Sequence, residues 1–348
     1  PQPTAEPAGP PRNIIIAAAG TIYAPKSVRE SVQEGTDHYD FTPTFEGLSG
    51  ALAGADLSIV TLETLAAGRE KGYGNYNTTP QIFDALRAVG VNFVSLATER
   101  ALDKGYDGLD ITASELTSRS MGYAGAYPDG VNTGATMLRI GGVQVAVLAY
   151  SYGLSDEGRK RTRDDSRGVV AMMDSQRVVR DITQARVDGA NIVVVLPHWG
   201  TKNSAQTPDT VHDMAQTMAQ AGADVILGTH PNVAQGIERL QTVRSDGLTY
   251  ETVVCYSLGC LLTDARNSDN TAGMAVRLEM TYDPATRRAS PGELTVTPLY
   301  IARQREDSGI LYRVVDAENE QALQSLTMTE QAAAAQAAKR VRSATQEE

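Results

Sequence analysis

Residues 191–200 read NIVVVLPHWG, an apolar, β-branched run that stops at a histidine. Such a run is typical of a strand that is buried on both faces of a parallel sheet. Other short apolar runs also end at residues able to do polar chemistry. Their ends are Gly20-Thr21, Thr61-Leu62-Glu63, Ala97-Thr98-Glu99-Arg100 and Gly228-Thr229-His230-Pro231-Asn232. Because ligands of open α/β sheets gather beyond the carboxyl ends of the strands, we expect all these ends to converge on one cleft.

Length and composition limit the classes of protein that fit this sequence. The 348 residues suffice for one large α/β domain or two smaller ones, and 41% hydrophobic residues is ordinary globular composition. The net charge of -11 and the lack of a basic stripe exclude nucleic acid as an expected partner. No apolar run reaches the ~18 residues of a membrane-spanning helix, so we expect membrane association only through a removed N-terminal segment.

Strand and helix patterns alternate along the first part of the chain. Apolar runs at 13–20, 56–61 and 92–97 predict strands, and each is followed by helical spacing, at 44–55, 80–89 and 108–121. This alternation predicts a largely parallel sheet. Gly141-Gly142 predicts a hairpin within 135–150, and the charged stretch 155–167 predicts an exposed loop. Asp174 is a plausible N-cap for a helix over 174–187. Strands dominate after Tyr250 and suggest a second sheet packed on the first.

These patterns predict one main domain, with two sheets sandwiched between helix layers. Residues 1–12 are Pro-rich and predict a linker, residues 13–304 form the domain, and residues 305–348 form a helix-prone C-terminal extension. A leader removed ahead of the linker would place the protein outside the cytoplasm, in the cell envelope or secreted.

The strand ends carry the residue types that bind metals. Neutral imidazoles of His198 and His230, with Glu63 and Glu99 as oxygen donors, form a plausible set for Zn²⁺, Mn²⁺ or Fe²⁺. The alternative is that these histidines are hydrogen-bonded strand-end residues and the glutamates are solvated. The sequence contains no P-loop, dinucleotide fingerprint or nucleophile elbow. We expect its two cysteines, at 255 and 260, to be buried free thiols.

The strand ends, in this order, resemble the bacterial capsule-synthesis protein family of CapA and PgsA, which is associated with poly-γ-glutamate. The resemblance runs from about Ile14 to Thr263 and is strongest in VVLPHWG (194–200), AGADVILGTHPNVAQG (221–236) and YSLG (256–259). It implies an α/β (α+β) fold in four layers, a double β-sandwich flanked by helices, as in calcineurin-like metallophosphoesterases. It also implies a metal centre at the strand ends.

Several positions depart from the family's motifs. The family typically has Gly-Asp at Gly20-Thr21, Ala-Asn-Asn-His at the stretch ending Glu99-Arg100, and Gly-His-His-Pro-His at the stretch ending in Asn232. Carried over by resemblance, Glu63, His198 and His230 remain as metal ligands or catalytic residues. The other positions expected to contact a ligand are Arg100, Glu99, Thr21, Asn232 and Trp199.

Arginine cannot ligate a metal and repels one, so we expect no dinuclear centre. Two alternatives remain: one weaker Mn or Zn ion, or Arg100 in place of the metal charge, paired with Glu63 or Glu99. We favour the second, because a guanidinium inside a cleft needs a carboxylate partner. The expected function is that of an envelope-associated CapA-like protein with a degenerate metal site, which binds an anionic glutamyl polymer, a glycan or a capsule-export partner. The alternative is a metal-dependent hydrolase of phosphoester or γ-glutamyl amide bonds.

Overall fold

The apolar runs of the sequence become strands of two sheets. The structure is a computed structural model that describes residues 9–130, 134–162, 168–306 and 309–345. The strands are β1 (Arg12–Ile22), β2 (Leu57–Leu62), β3 (Phe93–Ser95), β4 (Gly122–Ala124), β5 (Thr136–Ile140), β6 (Val143–Ser151), β7 (Ile192–His198), β8 (Val225–Leu227), β9 (Ile237–Val243), β10 (Thr249–Cys255), β11 (Cys260–Leu262), β12 (Ala272–Asp283), β13 (Arg288–Glu306) and β14 (Gly309–Asp316).

Helices cover the outer faces of both sheets. They are α1 (Lys26–Ser31), α2 (Thr42–Phe45), α3 (Ser49–Leu52), α4 (Ile82–Ala88), α5 (Gly105–Ser118), α6 (Asp156–Thr162), α7 (Ser175–Val187), α8 (Asp209–Ala221), α9 (Glu320–Leu323) and α10 (Met328–Thr345). Asp174 caps α7 as predicted, since its side chain accepts a hydrogen bond from the N–H of Arg177. Among the described residues, no helix has the length and apolar character that crossing a membrane requires.

Each sheet is mixed. The first is antiparallel from β14 to β1 and parallel from β1 to β4, and the second has a parallel centre with an antiparallel strand at each edge. The first has the order β14-β13-β12-β1-β2-β3-β4, with β11 paired to the end of β1, and the second has the order β5-β6-β7-β8-β10-β9. Strands β1 to β4 run parallel in the first sheet, as do β6, β7, β8 and β10 in the second. The carboxyl ends of the central strands therefore form one edge of each sheet, where parallel sheets place their ligands.

Alternation along the strands divides the core into layers. In β7, Ile192, Val194 and Leu196 pack between the two sheets, whereas Val193 and Val195 pack against α7 and α8. The outer face of the first sheet packs against the helices of the N-terminal half, and α10 covers β12 and β13. Burying each of these aliphatic side chains contributes about 1.5–3 kcal/mol. The predicted four-layer double β-sandwich is confirmed.

Some local predictions were wrong. The strands that follow residue 270 do not form a second sheet of their own, because β12 pairs with β1 and extends the first sheet. The stretch predicted as an exposed loop at 155–167 contains α6, and its last five residues lie outside the described chain. The predicted domain boundary at 304 falls inside β13, and β14 follows it, so the helical part of the C-terminal segment begins at Glu320. Most of the predicted linker also lies outside the described residues.

Candidate functional site

The carboxyl ends of strands from both sheets meet in one cleft. The first sheet supplies Glu63, directly after β2, and Glu99 and Arg100, in the loop after β3. The second sheet supplies His198, the last residue of β7, and His230, which follows β8. Two further residues of the second sheet's loops link the groups: Tyr152 contacts both Glu99 and His230, and Lys202 lies near Glu63 and Glu99.

The two histidines form an aromatic cluster with Tyr152, which follows β6. The His198 and His230 ring centroids are 4.7 Å apart, and the Tyr152 ring lies 4.6 Å from that of His230. Burial lowers the pKa of His198 well below its ordinary value and that of His230 to about 4, so both imidazoles are neutral at pH 7. His198 Nε2 and His230 Nδ1 are buried without a hydrogen-bond partner in the described chain. Each ring therefore has a buried nitrogen that makes no hydrogen bond with the described residues.

His230 has an unusual backbone as well as an unpartnered ring. Its φ is 101°, and Asn232, two residues later, has a φ of 62°. Residues other than glycine seldom adopt positive φ, and such strain is concentrated at ligand sites. The loop after β8 is thus held in a conformation that brings the His230 ring against Tyr152.

Glu63 is a deeply buried acid of the cleft. Its residue is 3% exposed, and burial raises its pKa to about 7 although the Lys202 ammonium opposes the shift. Lys202 Nζ lies 3.9 Å from Glu63 Oε1 and 3.9 Å from Glu99 Oε1. The ammonium therefore stands between two carboxylates of the first sheet while belonging to the loop that follows β7.

Arg100 is held by carboxylates and by an aromatic ring. Its guanidinium lies 3.3 Å from Glu99 Oε1 and 3.3 Å from Asp103 Oδ2, and its Cζ lies 3.9 Å above the ring of Tyr76. Glu99 also accepts a 2.5 Å hydrogen bond from the hydroxyl of Tyr152. The expected pairing of Arg100 with a cleft carboxylate is thus made with Glu99 rather than with Glu63, and Asp103 adds a second partner.

Thr21 and Asn232 lie beside the cleft. Thr21 is fully buried, its N–H donates to the carbonyl of Gly259 at 3.0 Å, and its hydroxyl has no partner in the described chain. Asn232 lines a cavity of about 200 Å³ together with Glu63 and Lys202. A larger cavity of about 600 Å³ opens on the other side of Arg100, lined by Glu99, Tyr152 and residues of α6.

Trp199, by contrast, does not reach the cleft. Successive residues of a strand point to opposite faces, so the residue after His198 faces the helix layer. Trp199 is 1% exposed, and its indole N–H donates to the carbonyl of Tyr256 at 2.9 Å. Its environment is the core beneath α8, which does not support the predicted ligand contact.

Cys255 and Cys260 are free and buried, as predicted.

Sequence reasoning missed Lys202, Tyr152 and Asp103. Tyr152 directly follows an apolar strand and carries the same signal as the other strand ends, although its run also matches half of a hairpin. Lys202 and Asp103 lie within loops, where no periodicity marks which side chain turns inward. The acid–base balance of the cleft therefore became visible only in three dimensions.

The side chains present do not fit a two-metal centre. Across the described residues, no group of three or more His, Cys, Asp or Glu side chains is arranged to hold a metal ion. An ammonium stands 3.9 Å from both glutamates, and the guanidinium of Arg100 adds a second fixed cation. A divalent ion among these groups would face two positive charges at close range.

Comparison with known proteins gives the family. The chain is 26% identical over 226 residues to the PGA biosynthesis protein CapA of Bacillus subtilis (strain 168), covering 64% of this chain and 54% of that protein. It is 26% identical over 186 residues to the capsule biosynthesis protein CapA of Bacillus anthracis, covering 52% of this chain and 42% of that protein. The chain thus spans about half the length of these curated relatives.

Solved structures support the fold alone. The calcineurin-like phosphoesterase YfkN from Bacillus subtilis aligns with 94% of this chain and 100% of that one, at a TM-score of 0.51 and 14% sequence identity.

The family model described as bacterial capsule synthesis protein PGA_cap matches residues 15–265, which is most of the chain and includes all the strand ends of the cleft. The chain therefore belongs to the bacterial capsule synthesis protein family and has the fold of calcineurin-like phosphoesterases.

Proposed function

We propose that this protein acts in capsule or poly-γ-glutamate synthesis by binding a carboxylate-bearing polymer at the cleft, with fixed cations in place of a metal centre. The single observation that carries the proposal is the position of Lys202, whose ammonium lies 3.9 Å from Glu63 and from Glu99. Those separations exceed hydrogen-bond length, and the described chain offers Lys202 no closer acceptor. Its three N–H donors are therefore available to a ligand.

The charge of the cleft supports an anionic ligand only because its acids are weakened or paired. Glu63 has a pKa raised by burial to about 7, so it is only partly ionised at neutral pH. Glu99 is occupied by Arg100 and by the Tyr152 hydroxyl. A carboxylate of the ligand would accept from Lys202, whose side chain is 42% exposed.

A binding measurement with one matched control tests this proposal. We expect γ-linked glutamate oligomers to bind the protein in calorimetric titrations and to bind Lys202→Met at least tenfold more weakly, because one charge-assisted hydrogen bond contributes about 1.5–3 kcal/mol. Lys339→Met removes the same charge from an exposed position on α10 and should leave the affinity unchanged. Equal affinities of the protein and of Lys202→Met would refute the role of this ammonium.

Arg100 provides a second test within the same site. Arg100→Ala should also weaken the binding of the oligomer. The substitution leaves Asp103, which is 3% exposed, with only the Ser155 hydroxyl as a side-chain partner. Thermal unfolding must therefore accompany the titration. Unchanged binding by a folded Arg100→Ala variant would count against a contact between Arg100 and the polymer.

A metal-dependent hydrolase of phosphoester or γ-glutamyl amide bonds is the second candidate. It is favoured by the two neutral histidines, each with a buried nitrogen that has no partner in the described chain. Metal content measured by mass spectrometry after Mn²⁺ and Zn²⁺ loading separates the candidates. A stoichiometric ion that is lost in His198→Ala, together with chelator-sensitive turnover that is lost in His230→Ala, would favour the hydrolase.

We also propose a cellular location and a kind of partner. A capsule polymer is assembled at the cell surface, so we propose an extracytoplasmic, envelope-associated or secreted protein that works beside capsule-export proteins. Fractionation of cells that produce the protein from its native gene tests this location. Recovery of the protein in the cytoplasmic fraction alone would contradict it.

A further inference from the structure

A second cavity, of about 920 Å³, lies at the opposite edge of the second sheet from the cleft. It is bounded by the C-terminal ends of α7 and α8, by the β9–β10 hairpin and by the β12–β13 hairpin. Asn191, which precedes β7, lines this cavity, whereas His198 at the far end of the same strand lies in the cleft. A strand of this length separates the two sites by roughly 20 Å.

The cavity concentrates positive charge on an acidic protein. Its lining contains Arg186, Arg244, Arg287 and Arg288 but only two acids, Asp224 and Asp246. Four arginines against two aspartates leave an excess of two positive charges, although the whole chain has a net charge of -11. Such a local reversal of sign attracts anions whatever the overall charge of the protein.

Two of the four arginines have structural roles. Arg186 donates to the carbonyls of Asn191 and Gly222 at 2.9 and 3.1 Å, and Arg244 donates to that of Ala223 at 2.5 Å. Both also pair with the buried carboxylate of Asp224. They neutralise the helix C-termini, whose partial negative charge would otherwise repel an anion.

The other two arginines retain donors for a ligand. Arg288 lies over the ring of Tyr250, with its Cζ 4.4 Å from the ring centroid, and one of its nitrogens donates to Thr249. Arg287 is exposed and makes no ion pair or hydrogen bond with the described residues. Its φ is 57°, a turn conformation that glycine or asparagine adopts at less cost. This conformation lies in the turn that closes the β12–β13 hairpin.

We propose that this cavity binds an organic polyanion that carries at least two carboxylate or phosphate groups. Adjacent guanidinium groups suit such a ligand, because each presents a planar pair of donors that matches a carboxylate or a phosphate. The volume of the cavity is within the range of small-molecule sites. Val179 and Val187, which are 39% and 74% exposed, line another part of it and suit the carbon skeleton of the ligand.

Calorimetric titration with citrate and with pyrophosphate tests this second site and distinguishes carboxylate from phosphate chemistry. We expect at least one probe to bind with a stoichiometry near one, and Arg287→Gln to weaken it about tenfold or more. Arg287→Lys keeps the charge but loses the planar fork, so its affinity should lie between the two. Because Arg287 is exposed and unpaired in the described chain, these substitutions should not affect folding.

Two further variants separate the cavity from general electrostatics and from the cleft. Arg180→Gln removes a charge from α7 outside the lining and should not change the affinity for either probe. Lys202→Met alters the cleft, and the loss of affinity caused by Arg287→Gln should persist when the two substitutions are combined. Failure of both probes to bind would overturn the proposal. It would be overturned equally by a loss of affinity in Arg180→Gln as large as that in Arg287→Gln.

Discussion

Replacing Glu63 by glutamine should remove a large part of the pH dependence of folding. Glu63 is 3% exposed, and burial raises its pKa from 4.5 to about 7. The folded state therefore holds a proton that the unfolded chain has already released. Its contribution to stability is present in full below the unfolded-state pKa and is lost as the pH rises through the folded-state value near 7.

The expected magnitude follows from the size of that pKa difference. Each unit corresponds to about 1.4 kcal/mol, so ionisation of Glu63 lowers the free energy of unfolding by about 3 kcal/mol over the whole window. Between about pH 5.5 and pH 8.5, titration of Glu63 should lower the free energy of unfolding of the original protein by about 2 kcal/mol. Glu63→Gln has no titrating group at this position and should lack that decrease. The glutamine variant should therefore gain relative stability at alkaline pH.

Urea unfolding followed by tryptophan fluorescence measures this difference. Trp199 is the single tryptophan of the sequence and is 1% exposed, so its emission reports the loss of the core next to the site. Glu320→Gln, an exposed carboxylate of α9, serves as the matched control and should keep the original pH slope. Identical pH slopes for the original protein and Glu63→Gln would refute the argument that burial raises this pKa.

Three further substitutions, one of them with a matched control, test the structural framework. Asp224→Asn removes the 2% exposed carboxylate shared by two guanidinium groups and should cost about 3 kcal/mol in urea unfolding. Gly20→Ala would place a Cβ 2.2 Å from the carbonyl oxygen of Gly259 and should sharply reduce the yield of folded protein, whereas Gly50→Ala meets nothing within 4 Å and should be tolerated. Asp174→Ala removes the cap of α7 and should lower stability by about 1 kcal/mol. A stability change near zero for Asp224→Asn, or full tolerance of Gly20→Ala, would contradict the corresponding contact.

Hydrophobic pattern was enough to predict the layers, because burial on two faces leaves a distinctive run of residues. The run NIVVVL predicted the central strand β7, and Gly141-Gly142 predicted the β5–β6 hairpin, whose two glycines have φ of 54° and 80°. The partners of the C-terminal strands were less predictable. Pairing of β12 with β1 joins segments more than 250 residues apart, and no local signal specifies it.

Local sequence pattern likewise predicts some residues of the candidate site but not others. Strand ends such as Glu63, His198 and His230 could be found, since a buried strand fixes where its last residue emerges. The role of Trp199 could not, because one further residue reverses the face of the sheet. Lys202 stands near Glu63 and Glu99 through the path of a loop, and loop paths depend on turn chemistry and on distant contacts rather than on periodicity.

The cleft joins the two sheets as well as offering a place for a ligand. Glu63, Glu99 and Arg100 belong to the first sheet, whereas Lys202, Tyr152 and both histidines belong to the second, so the ammonium and the Tyr152 hydroxyl cross the seam between them. A polymer that touched both sides would act as a clasp across this seam. Binding of the polymer in the cleft would then make the two sheets harder to separate, in thermal unfolding or under mechanical load, without any chemical turnover.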